Sequence, residues 1–288
     1  MFNGAEKFKK ETGTDYGQFE IANEAQREQA IRNFADKGYS PIIAAGFAQG
    51  DAVTKVAKDF PNLKFAIVDM VVDLPNVESI VFKEQEGSYL VGIMAAKASK
   101  SGSVGFVGGM DIPLIRRFGC GDVQGVKAVN KDAKVSPNMV GDTGAAWNDP
   151  VKAGEITKGQ MAKGADVVYA AAGGSGLGVL QAMSDAKKLS IGVDANQNYL
   201  HPGSVLTSMV KHVDVAVYNT MKGGDAGFKP GIQALGLKEG GVDYAMDDNN
   251  KALVSDDMRK AVEMAKADII SGKTQVHDYM ADSKCPVE

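Results

Sequence analysis

Asp166-Val167-Val168-Tyr169-Ala170-Ala171-Ala172-Gly173-Gly174-Ser175-Gly176-Leu177-Gly178 is an apolar run that breaks into glycines and then resumes with helical spacing to Lys187. A short run with no polar alternation reads as a strand buried on both faces. Glycines just after it supply the backbone freedom of a strand-to-helix turn. The same unit recurs on either side. Upstream, Pro41–Gly46, Lys64–Val68, Val77–Phe82, Val104–Val107 and Lys134–Val140 read as strands, and Tyr16–Ile21 as a first one. Between them lie helical patterns: one opened by a capping box at Asn23-Glu24-Ala25-Gln26 and running to Asp36, then Asp51–Phe60, Glu86–Ala98 and Leu114–Val129. A further helix starts at Asp149-Pro150, a plausible N-cap with proline at the first helical position. Downstream, Ser190–Val193 and Val205–Met209 are strands, Asp214–Lys222 a helix, and Asp256–Ser271 an amphipathic helix closed by Gly272.

Strands alternating with helices imply parallel sheets covered on both faces. Two such series in 288 residues point to two similar α/β lobes, each with its own core. The composition is globular, 44% hydrophobic and 24% charged, and the formal charge of −4 argues against a nucleic-acid partner. Met1 leads directly into a polar helical stretch, so no signal peptide is read at this N-terminus, and no run reaches the roughly 20 apolar residues of a membrane span. Cys120 and Cys285 are too few and too far apart for a zinc site; they are either free thiols or one long-range disulfide.

Ligands of open α/β sheets bind beyond the carboxyl ends of the strands, which directs attention to the loops there. The turn at Gly173–Gly178 has the context of an anion-binding loop but fits neither G-x-G-x-x-G nor a P-loop. Gly174 and Gly176 either let backbone approach backbone or present amides to a neutral polar ligand. Asp194 ends a strand among Asn196, Gln197 and Asn198, and a carboxylate there can accept both hydrogen bonds of a vicinal diol or merely cap a turn. Asp69 is a similar case. Trp147, the sole tryptophan, lies in a loop before a helix, where it can stack on a planar ligand or pack the hinge. Tyr169 lies inside a strand, which points to core packing. His201, His212 and His277 stand in no nucleophile-elbow pattern, and Asp247-Asp248-Asn249-Asn250 reads as a polar loop too short for an EF-hand. No catalytic residue, metal site or cofactor is expected.

Several stretches together resemble one family. Phe82-Lys83-Glu84-Gln85-Glu86-Gly87-Ser88-Tyr89-Leu90-Val91-Gly92, Val104–Met110 with Pro113 and Arg116-Arg117-Phe118, Trp147-Asn148-Asp149-Pro150, Ala165–Tyr169 with its glycine turn, Ile191–Asp194 and Val205–Lys211 are similar, in order, to the basic-membrane-protein (PnrA-like) family of ABC-importer solute-binding proteins. The resemblance implies a type I periplasmic-binding fold: two Rossmann-like lobes and a hinge of three crossovers, closing on a purine nucleoside such as adenosine, guanosine or inosine without catalysis. It implies lobes of 1–107 plus about 206–240, and of about 108–205 plus 241–288. It places Asp194 on the ribose hydroxyls, Lys211 near the same end, Gly174, Gly176 and Asp69 on the cleft wall, and Tyr169 and Trp147 as base-stacking candidates. Members are exported, often lipid-anchored, and deliver solute to a membrane permease. An oxidising compartment favours a Cys120–Cys285 disulfide. The family pattern starts with a strand and an aromatic-Asn loop before the helix that Asn3–Glu11 resembles, so the signal, first strand and first binding loop are expected to be missing here, with a weakened first lobe. Two alternatives remain: the ligand-sensing region of a regulator, which uses the same fold but is disfavoured because no helix-turn-helix precedes residue 16, and an NAD- or nucleotide-dependent enzyme, suggested only by the glycine turn and disfavoured by the missing fingerprint and the missing acid/base pair.

Overall fold

The computed structural model describes residues 1–224 and 226–287. The chain divides into two compact units, Met1–Phe82 with His212–Leu235 (unit 1) and Lys83–Lys211 with the residues from Gly236 onward (unit 2). The first 82 residues carry α1 (Phe2–Thr12), α2 (Gln26–Asp36), β1 (Ile42–Ala45), α3 (Gly50–Asp59), β2 (Phe65–Val68) and β3 (Val77–Phe82). Next come α4 (Glu84–Ala98), β4 (Ser103–Met110), α5 (Pro113–Val129), β5 (Lys134–Gly141), α6 (Pro150–Ala162) and β6 (Val167–Ala171). The chain continues with α7 (Gly176–Asp185), β7 (Leu189–Asp194), β8 (Val205–Lys211), α8 (Val213–Gly223), β9 (Gly231–Leu235), β10 (Val242–Tyr244) and α9 (Asp256–Ile270).

Unit 1 holds a four-stranded sheet in the order β1-β2-β3-β9, parallel throughout. Unit 2 holds a six-stranded sheet in the order β10-β8-β7-β6-β4-β5, parallel except for β10, which runs antiparallel to β8. The buried runs explain the placement. Phe65, Ala66, Ile67 and Val68 are each 1% exposed or less, as are Val167, Val168, Tyr169 and Ala170. Separate apolar clusters form around Val53, Val56, Phe65 and Ile67 in unit 1, and around Val168, Val179, Leu180 and Met183 in unit 2.

Four expectations are revised. The chain crosses between units after Phe82, Lys211 and Leu235, not near 107, 205 and 240. The reason is that β4 pairs with both β5 and β6, and α4 packs on α5, so the region from Lys83 belongs to the second sheet. Tyr16–Ile21 forms no strand, because no described strand lies alongside it. Tyr16, Gly17, Gln18, Phe19 and Glu20, together with Pro41, Ile42 and Ile43 at the β1 edge, line a hollow of about 740 Å³, as do Phe2, Phe34 and Tyr39. Asn23 does not cap α2, whose N-cap is Ala25; instead Gln26 accepts a hydrogen bond from the Ala22 N–H. Asp149 does cap α6, accepting from the Lys152 N–H at 2.9 Å. Finally, the short strands β9 and β10 were not foreseen.

One face of α5 anchors the C-terminal segment. Arg117, Cys120 and Gln124 recur at helical spacing and so share a side. Arg117 forms a fork with both carboxylate oxygens of Asp278 (2.8 and 2.9 Å), and Gln124 exchanges two hydrogen bonds with the His277 backbone. Cys120 and Cys285 are joined by a disulfide. Closing a loop of this length removes about 5 kcal/mol of chain entropy from the unfolded state. On the opposite side α5 lies against α4 so closely that a Cβ on Gly125 would meet the Tyr89 carbonyl oxygen at 2.1 Å.

Asp122 of α5, whose backbone lies against Gly92 of α4, is fully buried, and neither carboxylate oxygen has a hydrogen-bond partner among the described residues. Burial pushes its carboxyl well above the usual carboxylate range. The folded protein thus holds this proton more tightly than the unfolded chain, in which the group titrates near about 3.9. Its contribution to stability is complete below that pH and is lost progressively as pH rises through the folded value. Thermal melts of Asp122→Asn should therefore show a variant more stable than the native chain at about pH 8, with the gap closing toward about pH 4. A gap independent of pH would contradict an ionisable, unpartnered Asp122.

Candidate functional site

Parallel pairing places the ends of β4, β6, β7 and β8 along one edge of the unit 2 sheet; Asp194, Lys211 and the glycine turn stand at these ends, and Trp147 lies against Gly109 and Gly173. Asp194 is the last residue of β7, paired in register with Val210, so Lys211 lies one position beyond it on β8. Asp194 is solvent-exposed and adopts φ 64°, the left-handed region that non-glycine residues seldom occupy. In unit 1, Asp69 follows β2 with φ 65°. Each sheet thus ends a strand on an aspartate held in the same uncommon conformation, a feature that clusters at ligand sites.

The scaffold behind Asp194 accounts for that conformation. Gln197 folds back so that its Oε1 accepts from the Val193 N–H at 2.9 Å, while its own N–H donates to Ser208 Oγ on β8. Ser208 in turn donates to Asn198 Oδ1, and Asn196 and Asn198 both donate to Asp247 Oδ2. Burial opposes ionisation of Asp247, but the donors from Asn196, Asn249 and Asn198 outweigh it and hold the carboxyl below its usual range. The polar loop Asp247–Asn250 is therefore structural, since it fixes the turn that presents Asp194.

Lys211 is 7% exposed, and its Nζ lies 3.2 Å from Glu84 Oε1 and 5.8 Å from the centre of the Phe118 ring. The other Glu84 oxygen meets Arg117 at 2.9 Å. The fully buried Glu84 carboxylate is thus shared by two cations, and Arg117 links them to Asp278 in the C-terminal segment. Glu84, Arg117 and Asp278 were not foreseen as site residues; Glu84 and Arg117 fall within stretches that carry the family resemblance, but their pairing depends on contacts across the chain.

The glycine turn serves packing as well as presentation. A short 3-10 turn, Gly173–Ser175, leads into α7. Gly178 must be glycine, since a Cβ there would fall 1.8 Å from the Pro150 carbonyl oxygen. Ser175 Oγ donates to the Ala146 carbonyl and accepts from the Asp149 N–H, tying the turn to the Gly144–Trp147 loop. Gly174 and Gly176 flank this junction, and Trp147 is half-buried beside it.

Tyr169 does not join this group. It is wholly buried in mid-strand, edge-on to Phe106 at 5.5 Å between centroids, with its hydroxyl 3.3 Å from Ser88 Oγ. Burial above all, with the charges of Asp122, Asp194 and Glu84 and against the Ser88 hydrogen bond, pushes its hydroxyl well above the ordinary range. The ring is core, as its place inside a strand implies, which leaves Trp147 as the one remaining aromatic among the expected site residues. No helix among the described residues is long and apolar enough to cross a membrane.

A family model, ABC transporter substrate-binding protein PnrA-like (Bmp), matches residues 1–278. The chain is 35% identical over 287 residues to the ABC transporter nucleoside-binding protein BmpA of Lactococcus lactis subsp. cremoris, covering 92% of this chain and 78% of that protein. It is 30% identical to basic membrane protein A of Borreliella burgdorferi, over 93% of this chain and 80% of the relative. Among solved structures, an ABC transporter solute-binding protein from Aeropyrum pernix K1 superposes with a TM-score of 0.83 at 29% identity, covering 96% of this chain and 88% of that one. The fold is that of the type I periplasmic binding proteins.

The shared carboxylate yields a direct test. Glu84→Gln leaves the buried Lys211 facing a neutral amide, while Arg117 keeps its fork with Asp278, and breaking a buried pair in this way costs about 3–5 kcal/mol. Denaturant unfolding should register a loss of that size; a change below about 1 kcal/mol, the range of exposed pairs, would contradict the network.

Proposed function

Since the chain belongs to the PnrA-like family of ABC transporter substrate-binding proteins, we propose that it captures a purine nucleoside and hands it unchanged to an ABC permease. The observation that carries this reading is the presentation of Asp194. An exposed carboxylate at a strand end, locked by Gln197, Ser208 and Asp247, is pre-organised to accept two hydrogen bonds from the 2′ and 3′ hydroxyls of a ribose. Pre-organisation matters because a loop ordered before binding loses little entropy when the ligand arrives.

The remaining roles follow from the same edge. Lys211, fixed by Glu84, supplies positive charge one position beyond Asp194. Gly174 is exposed in the turn before α7, where a neutral polar ligand can accept from its backbone amide; Gly176 does not share that role, because it is buried and its N–H already donates to the Gly173 and Gly174 carbonyls. Trp147 offers a flat apolar face to a purine base, and base–aromatic stacking contributes about 1–3 kcal/mol. Asp69 repeats the strand-end carboxylate in unit 1. No bond is made or broken in this role, which consists of capture and release. Substrate-binding proteins of ABC transporters work outside the cytoplasm, and the Cys120–Cys285 disulfide accords with an oxidising compartment. A relative named for nucleoside binding, 35% identical over most of the chain, supports the choice of ligand class.

Calorimetric titration with adenosine, guanosine and inosine, and with NAD as a control, tests the proposal. A nucleoside is expected to bind and NAD not to. Asp194→Ala should weaken binding about 10- to 100-fold, the loss of one or two hydrogen bonds to a charged acceptor. Binding that survives Asp194→Ala unchanged, or heat from none of the three nucleosides, would contradict it.

A further inference from the structure

We propose that Gly109 is a specificity-determining position: the absence of a side chain there seats the Trp147 indole deep against β4 and makes the site favour purine over pyrimidine nucleosides. This rests on the reading of Trp147 as the residue that stacks on the base.

Gly109 is the penultimate residue of β4 and is buried. A Cβ added to it would lie 2.5 Å from Trp147 Cζ3, 2.6 Å from Cε3 and 3.2 Å from Cη2. All three atoms belong to the six-membered ring, so that ring rests directly on the glycine backbone. Gly173, at φ 56°, closes the notch from the turn after β6, where a Cβ would stand 3.3 Å from Cε3. The indole is therefore seated between two strand ends that each lack a side chain.

The Trp147 backbone cannot retreat to relieve a new contact. On one side the Ala146 carbonyl accepts from Ser175 Oγ, and on the other the Asp149 N–H donates to the same oxygen. The Asn148 N–H donates to the Ala145 carbonyl at 3.0 Å, which fixes the turn between them. A methyl at position 109 must then move the ring, not the loop. Carbon atoms in good contact stand about 3.5–4.0 Å apart, so the ring would have to shift outward by about 1 Å. Displacement in that direction takes room from the base. A purine, whose two rings need the larger face, loses more than a single-ring pyrimidine.

Because Trp147 is the only tryptophan, its fluorescence reports this seating without any ligand. In Gly109→Ala the emission should shift to the red and acrylamide quenching should rise. Adenosine affinity should fall about 5- to 150-fold, the range that partial to full loss of a stacking contact spans, while uridine affinity falls less, so that the purine-to-pyrimidine ratio drops. The double variant Gly109→Ala/Trp147→Phe removes the outer ring that meets the new methyl, and should recover much of the fold stability and the adenosine affinity. Unchanged emission in Gly109→Ala would overturn the proposed seating. Equal losses for adenosine and uridine, or no recovery in the double variant, would overturn the specificity role. Failure of the unaltered chain to bind any of adenosine, guanosine and inosine would overturn the functional reading instead, and the emission shift would separate the two outcomes.

Discussion

Parallel strand pairing is the constraint on which the rest of unit 2 depends. In a parallel sheet each strand must be followed by a crossover back to the start of its neighbour, so the loops that leave β4, β6, β7 and β8 must all emerge at the same edge. That single fact brings together residues far apart in sequence: Met110, the Gly173–Ser175 turn, Asp194 and Lys211. The middle of each strand is given over to burial, as Tyr169 shows, and polar groups become available only where the strands end.

What the edge presents is held by polar contacts from behind. Asp194 owes its conformation to Gln197 and Ser208, and those to Asn198 and Asp247. Lys211 owes its position to Glu84, whose second oxygen engages Arg117 and, through it, the C-terminal segment stapled by Cys120–Cys285. Buried charges are stable only when matched, so this arrangement fixes the lysine while compensating it. Asp122 is the exception, a buried carboxyl without a hydrogen-bond partner among the described residues, and burial opposes its ionisation.

Much of this was legible in the sequence, for identifiable reasons. Buried parallel strands announce themselves as continuous apolar runs, so Phe65–Val68 and Val167–Ala171 were readable directly. The Asp149-Pro150 cap is a local signal and forms as its residues imply. Features that depend on a distant neighbour were not readable. Tyr16–Ile21 has strand-like residues but no described strand beside it. β9 is short and largely exposed, and only its pairing with β3 makes it a strand. The boundary between units was misplaced because β4 looks alike whichever sheet receives it. Asp194, Lys211 and Trp147 could be named from motif and resemblance, whereas Glu84 and Asp247, which hold two of them, could be found only from contacts across the chain.

The central claim is that Asp194 reads the vicinal hydroxyls of a ribose. A double-mutant cycle measures this contact: calorimetric affinities of native chain and Asp194→Ala for inosine and for 2′,3′-dideoxyinosine. The account predicts that removing the hydroxyls weakens binding to the native chain by about 10- to 100-fold and has little further effect on the variant. Equal discrimination against the dideoxynucleoside by both proteins would contradict it.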